Sequence, residues 1–262
     1  AIPALSTIDT AIWDIVGKTA NLPLHRLFGA CRTKIKTYAS GGLWLSQSID
    51  SLLKDTQNFL DQGFRSMKIR VGSTNCKNDV ERVKEVRNAV GPDIELMADI
   101  NQALEPKQAI QLGKQLEEYD LLWLEEPVAS NNREGHAEVR SALATPIASG
   151  ENEYSLSGMH EMIEAKACDI LMPDLQRIGG ISEMRKVANL AESYNLPIST
   201  HIFTEHSLSV AGSVTNCLSV EHVPWFSKLF NEQIDVINGY IDIPERPGTG
   251  FTFNDTYIKL IN

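Results

Sequence analysis

Short apolar runs alternate with amphipathic segments along the chain from about residue 34 onward, and Gly, Pro, Asn or Asp stand between them. Short apolar runs bounded by turn residues are typical of buried strands. The pattern predicts eight strands, near residues 35–41, 65–71, 94–100, 120–126, 146–151, 169–174, 196–202 and 217–221.

Between the strands, apolar residues recur every three or four positions, as they do on one face of a helix. This spacing predicts helices over residues 78–90 and 106–119, on the evidence of Val80, Val83, Val86, Val90, Ala109, Leu112 and Leu116. Strands that alternate with helices pair in parallel, and eight of them predict a TIM-type (β/α) barrel. An open doubly wound sheet is the alternative, but no G-x-G-x-x-G motif follows the first strand.

The two ends of the chain depart from this alternation. The opening AIPALSTIDTAIWDIVGK predicts a helix over about residues 4–17 that stops at Gly17, with an apolar face formed by Leu5, Ile8, Ile12, Ile15 and Val16. A helix whose apolar face begins at once is typical of a chain cut from something longer. After residue 225, the pattern predicts a weak last barrel helix, a short strand and a Pro/Gly-rich tail that leaves the barrel.

Composition and charge narrow the class of partner. The formal net charge is −10 and the pI is near 5.1, which argues against nucleic acid or an anionic membrane as a partner. The cysteines are far apart without a C-x-x-C motif, so we expect neither disulfides nor a zinc ribbon, and a reducing cytoplasm as the location. No apolar run approaches the roughly 20 residues of a membrane span.

Polar side chains stand at the carboxyl ends of the predicted strands, which form the active-site face of a barrel. From the second strand to the eighth they are Lys68, Arg70, Asp99, Asn101, Glu125, Glu151, Asp174, His201 and Glu221. Three of them, Asp99, Glu125 and Glu151, follow one another at intervals of 26 residues, one β/α unit per step. We therefore expect these three carboxylates to lie at the same height on neighbouring strands.

Three carboxylates this close repel one another unless a cation lies among them. Oxygen ligands select a hard ion, so Asp99, Glu125 and Glu151 predict an Mg²⁺ site, with Mn²⁺ as the alternative. Glu126 follows Glu125 directly, and side chains alternate along a strand. We expect Glu126 to point to the other side of the strand and to support the site, as Asn101 does.

The motifs as a set resemble the mandelate racemase group of the enolase superfamily, which includes mandelate racemase and muconate lactonizing enzyme. The K-I-R stretch that begins at Lys68 resembles the group's K-x-K element. Asp99-x-Asn101, Glu125-Glu126-Pro127 and Ser149-Gly150-Glu151 resemble its three metal-ligand motifs. Asp174 before RIGG, His201 and Glu221 resemble its Asp–His dyad and its acid on the eighth strand.

This resemblance implies removal of the proton α to a carboxylate, through a metal-stabilised enediolate. It also implies an α+β capping domain before the barrel and a homo-oligomer. We accordingly expect residues 1–30 to be the terminal helix and linker of a truncated capping domain. Residues 31–225 would form the catalytic barrel, and residues 226–262 a tail that returns towards the capping domain.

The resemblance also implies roles for the individual residues. Asp174 would fix the tautomer of His201, the proton-transfer group; Lys68 would supply positive charge, and a protonated Glu221 would hydrogen-bond the substrate. Arg70 departs from the group's second lysine, and a guanidinium with a pKa above about 12 is a poor base. A single base favours dehydration of a sugar acid to a 2-keto-3-deoxy acid, whereas Lys68 as an opposing base would give a racemase or epimerase.

Two other functions are compatible with the sequence. One is a Schiff-base aldolase that uses Lys68, with Gly179 and Gly180 as a phosphate cradle. The other is a catalytically impaired, truncated barrel with a binding or structural role. The first leaves the three carboxylates without a purpose, and the second is contradicted by any measurable turnover.

Overall fold

The computed structural model describes residues 1–261, with side chains to residue 259, and its centre is a closed barrel of eight parallel strands. β1 pairs with both β2 and β8, which closes the ring. The predicted TIM-type barrel is confirmed. The strands are β1 Lys34–Ala39, β2 Ser66–Arg70, β3 Glu95–Asp99, β4 Leu121–Glu125, β5 Ile147–Ser149, β6 Ile170–Leu171, β7 Ile198–Thr200 and β8 Cys217–His222.

Helices surround the barrel and follow the strands in the order that the periodicity predicts. The helix predicted over 106–119 ends as an α-helix at Leu116 and continues as a 3₁₀ turn over Glu117–Tyr119. The helices are α1 Ile2–Ala20, α2 Leu24–Leu27, α3 Ile49–Asp61, α4 Cys76–Val90, α5 Pro106–Leu116, α6 Arg133–Ala142, α7 Ser155–Glu164, α8 Leu175–Ile178, α9 Ile181–Ser193, α10 Thr204–Ala211 and α11 Asp255–Ile261.

The barrel interior is filled by large side chains rather than left open as a pore. Tyr38, Met97, Trp123 and Met172 are almost fully buried there, and the ring of Tyr38 packs edge-on against Trp123 at 5.3 Å between centroids. Larger apolar clusters fill the layer between the strands and the helices. Because the strands are parallel, their carboxyl ends, which carry the polar residues, meet at one face of this packed barrel.

The first helix is longer than predicted, and Gly17 is not its stop. α1 runs on to Ala20 and ends at Asn21, whose φ of 54° is left-handed. Gly17 is buried within the helix, and a Cβ built on it would lie 2.7 Å from Cα of Gly248. The glycine therefore serves the close approach of the tail to α1, not the end of the helix.

The apolar face predicted for α1 is turned to solvent. Its side chains are 40–62% exposed: Leu5, Ile8, Ile12, Ile15 and Val16. α1 packs on the barrel through Trp13, which lies against the apolar cluster, and through polar contacts. The Ser6 hydroxyl donates to the Leu175 carbonyl at 3.0 Å, and Trp13 Nε1 donates to Ser182 Oγ at 2.8 Å.

The tail contains the short strand that the sequence predicts, and this strand joins the barrel sheet. A ninth strand, β9 Tyr240–Asp242, pairs antiparallel with the first half of β1. β2 meets β1 only at Ala39 and Met67, so the first half of β1 has an edge that β9 covers. A 3₁₀ turn, Ser227–Leu229, follows β8 where a barrel helix would stand, as predicted. The division at residues 30 and 225 stays a prediction.

All four cysteines, Cys31, Cys76, Cys168 and Cys217, are free thiols. Over residues 1–261, none of the helices has the length and apolar character that crossing a lipid bilayer requires.

Candidate active site

Lys68 lies at the centre of the polar residues at the barrel mouth. Its side chain is 1% exposed, and its Nζ is hydrogen-bonded to Glu125 Oε1. The same nitrogen lies 2.9 Å from Glu221 Oε1 and 3.3 Å from Asp99 Oδ2. One buried ammonium therefore contacts carboxylates from β3, β4 and β8.

Burial and neighbouring charges shift the pKa values of Glu125 and Lys68. Burial raises the pKa of Glu125 to about 8, with Lys68 opposing the rise and Asp99 adding to it. Burial works against the charge of Lys68, but Glu125 and Glu221 hold the pKa of Lys68 well above its usual range. Trp123 Nε1 donates to the second oxygen of Glu125 at 2.9 Å. The site thus concentrates negative charge that requires a positive partner.

Arg70 is held rigidly beside this cluster. Its Nε lies 3.3 Å from Asp99 Oδ2, its Nη2 donates to Ser40 Oγ at 3.1 Å, and its Cζ stacks 4.9 Å from the ring centre of Trp44. Nη1 is buried and has no hydrogen-bond partner within the described part of the chain. These contacts are those of a fixed positive clamp and not of a base.

Asp174 and His201 form the predicted pair. Asp174 Oδ2 lies 2.7 Å from His201 Nδ1, and its Oδ1 accepts from the backbone N–H groups of Gln176 and Arg177, both at 2.8 Å. Asp174 is thereby fixed as the N-cap of α8. Its carboxylate orients the imidazole so that Nε2 faces the site, 3.3 Å from Glu151 Oε2.

The electrostatic surroundings set the charge of His201 and Glu221. Burial lowers the pKa of His201, but the hydrogen bond with Asp174 and the charge of Glu151 raise it to about 9. Burial raises the pKa of Glu221, but Lys68, His201 and the Ile202 N–H hold it well below its usual range. These two cationic neighbours favour the ionised form of Glu221, and its role as a protonated hydrogen-bond donor to a substrate stays a prediction.

Glu126 does not point away from the site, which corrects a second expectation. β4 ends at Glu125, and Glu126 has a left-handed φ of 42°, so strand alternation no longer applies. Its Oε1 accepts from Ser149 Oγ at 2.5 Å and from Gly150 N at 2.9 Å. Asn101, as expected, supports the site, because it donates to Asp99 from its backbone at 2.8 Å and from Nδ2 at 3.1 Å.

The side chains of the three predicted ligands, Asp99, Glu125 and Glu151, are not arranged to hold an ion. Over residues 1–261, no group of three or more His, Cys, Asp or Glu side chains is arranged to hold an ion. The reason is that Lys68 already contacts Asp99 and Glu125, while Glu151 faces His201. The chemistry of the donors nevertheless fits a hard divalent cation, because all these ligands are buried carboxylates and Glu126 Oε2 is buried with no hydrogen-bond partner among the described residues.

The aldolase alternative is contradicted by the charge of Lys68 and by the contacts of Asp9. An aldolase needs a neutral amine, whereas the surrounding carboxylates keep the pKa of Lys68 raised. The expected phosphate cradle is occupied, because the Asp9 carboxylate accepts from Ser182 N at 2.9 Å and from Ser182 Oγ at 2.5 Å. A Cβ built on Gly180 would lie 2.5 Å from Asp9 Oδ2, so this glycine accommodates α1.

Comparison with known proteins decides the family. Residues 51–257 match the family described as Enolase C-terminal domain-like. The chain belongs to this family. The resemblance predicted from the strand-end motifs of this enolase-superfamily barrel is thereby confirmed.

Two curated relatives are sugar-acid dehydratases. L-talarate/galactarate dehydratase of Salmonella typhimurium LT2 is 36% identical over 97% of this chain, which spans 64% of that relative's length. Arabinonate dehydratase of Saccharolobus solfataricus is 30% identical over 97% of this chain and 71% of its own length. This enolase-superfamily barrel is thus about two thirds as long as the first of these relatives.

Solved structures share the fold closely. That of the Salmonella dehydratase liganded with Mg and L-lyxarohydroxamate matches with a TM-score of 0.95, 36% identity, and coverage of 98% of this chain and 66% of its own. A racemase from Streptomyces coelicolor A3(2) with bound magnesium matches with a TM-score of 0.96 and 31% identity, over 99% of this chain and 72% of its own.

Several residues that sequence reasoning missed also shape the site of this enolase-superfamily barrel. Ser40 follows β1 and contacts Arg70, Trp123 contacts Glu125, and Arg177 donates from Nη1 to the Glu151 carbonyl at 2.9 Å. Arg177 carries the clearest sequence signal, because it begins the RIGG stretch after Asp174. Ser40 carries no such signal, since its role depends on strands that are far apart in sequence.

Proposed function

We propose that this protein removes the proton α to the carboxylate of a sugar acid and eliminates the β-hydroxyl, giving a 2-keto-3-deoxy acid. The observation that carries the proposal is the Asp174–His201 pair, whose Nε2 faces the carboxylate cluster at the barrel mouth. The two curated relatives named above, both sugar-acid dehydratases, support the substrate class.

His201 is the proton-transfer group in this proposal. In its neutral form the imidazole takes the α-proton at Nε2 and returns a proton to the departing β-hydroxyl, which leaves as water, so that the resulting enol becomes the 2-keto acid. Asp174 keeps Nδ1 protonated and the ring oriented while this happens. Lys68 and Arg70 supply fixed positive charge where the substrate carboxylate gains electron density.

Asp99, Glu125 and Glu151 are the residues proposed to hold Mg²⁺, with Mn²⁺ as a substitute. The bound ion would supply positive charge that makes the α-proton of a carboxylate more acidic. Asn101 keeps Asp99 oriented through its two hydrogen bonds. The magnesium bound in the related solved structures named above supports this assignment.

Arg70 favours dehydration over racemisation. A racemase needs an acid or base on each face of the α-carbon, and a guanidinium is a poor base. The second candidate is a racemase or epimerase in which Lys68 is the opposing group, and the similarity to a racemase favours it. Against it, Lys68 is already paired with three carboxylates.

The proposed setting is a homo-oligomer in the cytoplasm. Four free thiols support a reducing compartment, and the exposed apolar face of α1 supports association. Light scattering of the purified protein measures the mass and tests the oligomer.

A catalytically impaired barrel that only binds or supports other molecules is the remaining candidate, and turnover would exclude it.

A library of aldonic and aldaric acids tests the proposed reaction. The protein is incubated with each acid and Mg²⁺, and products are trapped with semicarbazide. Semicarbazide-reactive 2-keto acid is expected for one group of acids, and EDTA should abolish it. Exchange of the α-hydrogen with deuterated solvent without keto acid would support the racemase instead, and neither product nor exchange would contradict both.

A further inference from the structure

Glu126 has a backbone and a carboxylate that are fixed from both sides. Its N–H donates to the Ala148 carbonyl at 3.0 Å, and its carbonyl accepts from Gln102 N at 2.8 Å. These bonds hold it at the left-handed φ of 42°, which is uncommon for a side chain of this size. Backbone held in such a conformation is found most often at functional sites.

The two oxygens of Glu126 have different surroundings. Oε1 accepts hydrogen bonds from Ser149 and Gly150, the residues directly before Glu151. Oε2 is buried and has no hydrogen-bond partner within the described part of the chain, and the residue is 1% exposed. Because Oε1 is held, the direction of Oε2 is fixed as well. A carboxyl oxygen buried without a hydrogen-bond partner is unfavourable, so this position calls for a ligand.

The charged neighbours of Glu126 identify that ligand as positive or as a hydrogen-bond donor. Its main charged neighbours are Glu151 and then Asp99, two of the residues proposed to hold the cation. Lys68 pairs with Asp99 and Glu125, but it forms no ion pair with Glu126. No side chain of residues 1–259 therefore compensates Oε2, and a cation with its hydration water is the chemistry that would.

We infer that Glu126 is a positioning residue of the cation site, with Oε2 as the acceptor for the hydration shell of the ion. Mg²⁺ keeps several waters when proteins bind it through few carboxylates, and those waters donate hydrogen bonds. Groups that hold a metal's ligands in this way change its affinity by about 10–100-fold when they are removed. The inference rests on the proposed function, because it needs the cation of that proposal.

The Glu126→Gln variant tests the inference without an activity assay. Oε1 of glutamine still accepts from Ser149 and Gly150, but the amide can no longer accept at the second position. Titration calorimetry of the metal-free protein with MgCl₂ should give a Kd about 10–100-fold higher than that of the unchanged protein. The melting temperature without Mg²⁺ should stay equal or rise, because an uncompensated buried charge is removed.

Glu205→Gln is the matched control, since Glu205 is also a buried glutamate, at 4% exposure on α10, but its pKa is raised by burial and not by neighbouring charges. Its Kd for Mg²⁺ should not change. Glu126→Asp, which keeps the charge but withdraws the oxygen, should also weaken binding several-fold and serves if the glutamine variant does not fold.

The outcomes separate this inference from the proposed function. If Glu126→Gln and Glu126→Asp bind Mg²⁺ within twofold of the unchanged protein while Asp99→Asn loses binding, the inference is overturned and the proposed site stands. If the unchanged protein itself binds no Mg²⁺, the proposed function fails, and the inference fails with it.

Discussion

The His201 imidazole is tied to Asp174 at 2.7 Å, while the other oxygen of Asp174 is held by two backbone N–H groups of α8. The helix start therefore fixes the carboxylate, and the carboxylate fixes the ring. The ring also lies beside the proposed cation site, because His201 Nε2 is 3.3 Å from Glu151 Oε2. The proposed base and the proposed cation site are therefore tested with separate variants and separate measurements.

Asp174→Asn should show how much the orientation of His201 contributes to catalysis, because the imidazole itself remains in the variant. The amide can still cap α8, but it no longer favours protonation of Nδ1, so proton transfer should fall by about 10²–10⁴-fold. We expect kcat to fall with little change in KM. Asp169→Asn is the control, because Asp169 pairs with Arg140 away from the site. An equal loss in the control would contradict the assignment.

Arg70→Lys should add proton exchange on the second face of the substrate. A lysine can lose its proton, whereas the guanidinium cannot. With a substrate from the acid-sugar screen, proton NMR in D₂O should detect an epimer that the unchanged protein does not form. Arg70→Met, which carries no titratable group, should form none. Epimer formation by the unchanged protein would favour the racemase.

Lys68→Met should destabilise the metal-free protein. Removing one partner of a buried ion pair leaves the others uncompensated, which typically costs about 3–5 kcal/mol. Mg²⁺ should then raise the free energy of unfolding of the variant more than that of the unchanged protein, since the ion replaces the lost charge. Urea denaturation with and without Mg²⁺ measures both. A variant as stable as the unchanged protein in EDTA would exclude Lys68 as the counter-ion.

Acid should destabilise the fold through His136. Burial lowers the pKa of His136 from 6.5 to about 4, and the side chain is fully buried. Between these two pH values the unfolded chain binds a proton at His136 that the folded chain does not bind. The free energy of unfolding therefore decreases as the pH falls from about 6.5 to 4, by up to about 3 kcal/mol.

His136→Phe tests this contribution, because it removes the titration and keeps a ring. Urea denaturation across this pH range should give a shallower loss of stability for the variant. The exposed His160→Gln is the control and should follow the unchanged protein. An identical pH profile for His136→Phe would contradict the role assigned to His136.

The sequence was sufficient for the strands and for most residues of the site, for a physical reason. Strand ends follow from local apolar runs, and a barrel brings those ends together whatever the details of packing. Lys68, Asp99 and Glu125 were therefore placed correctly at one face. The pairing of Asp174 with His201 follows in the same way, since β6 and β7 are neighbours.

The remaining features depend on interactions between distant parts of the chain. The charge of Glu221 is set by Lys68 and His201, which local patterning does not reveal. The direction of Glu126 depends on a left-handed backbone that begins where β4 ends. β9 forms because the first half of β1 has an uncovered edge, and such pairing is not encoded within either strand alone.

Loss of the α-proton of a substrate acid is the most direct measure of the central claim, because dehydratase and racemase both require it. Pooled aldonic and aldaric acids are incubated with the protein and Mg²⁺ in D₂O, and the α-proton signals are followed by NMR. The account predicts that at least one signal disappears, and that EDTA or His201→Asn prevents the loss. Unchanged signals with folded, Mg²⁺-bound protein, or undiminished loss in His201→Asn, would contradict it.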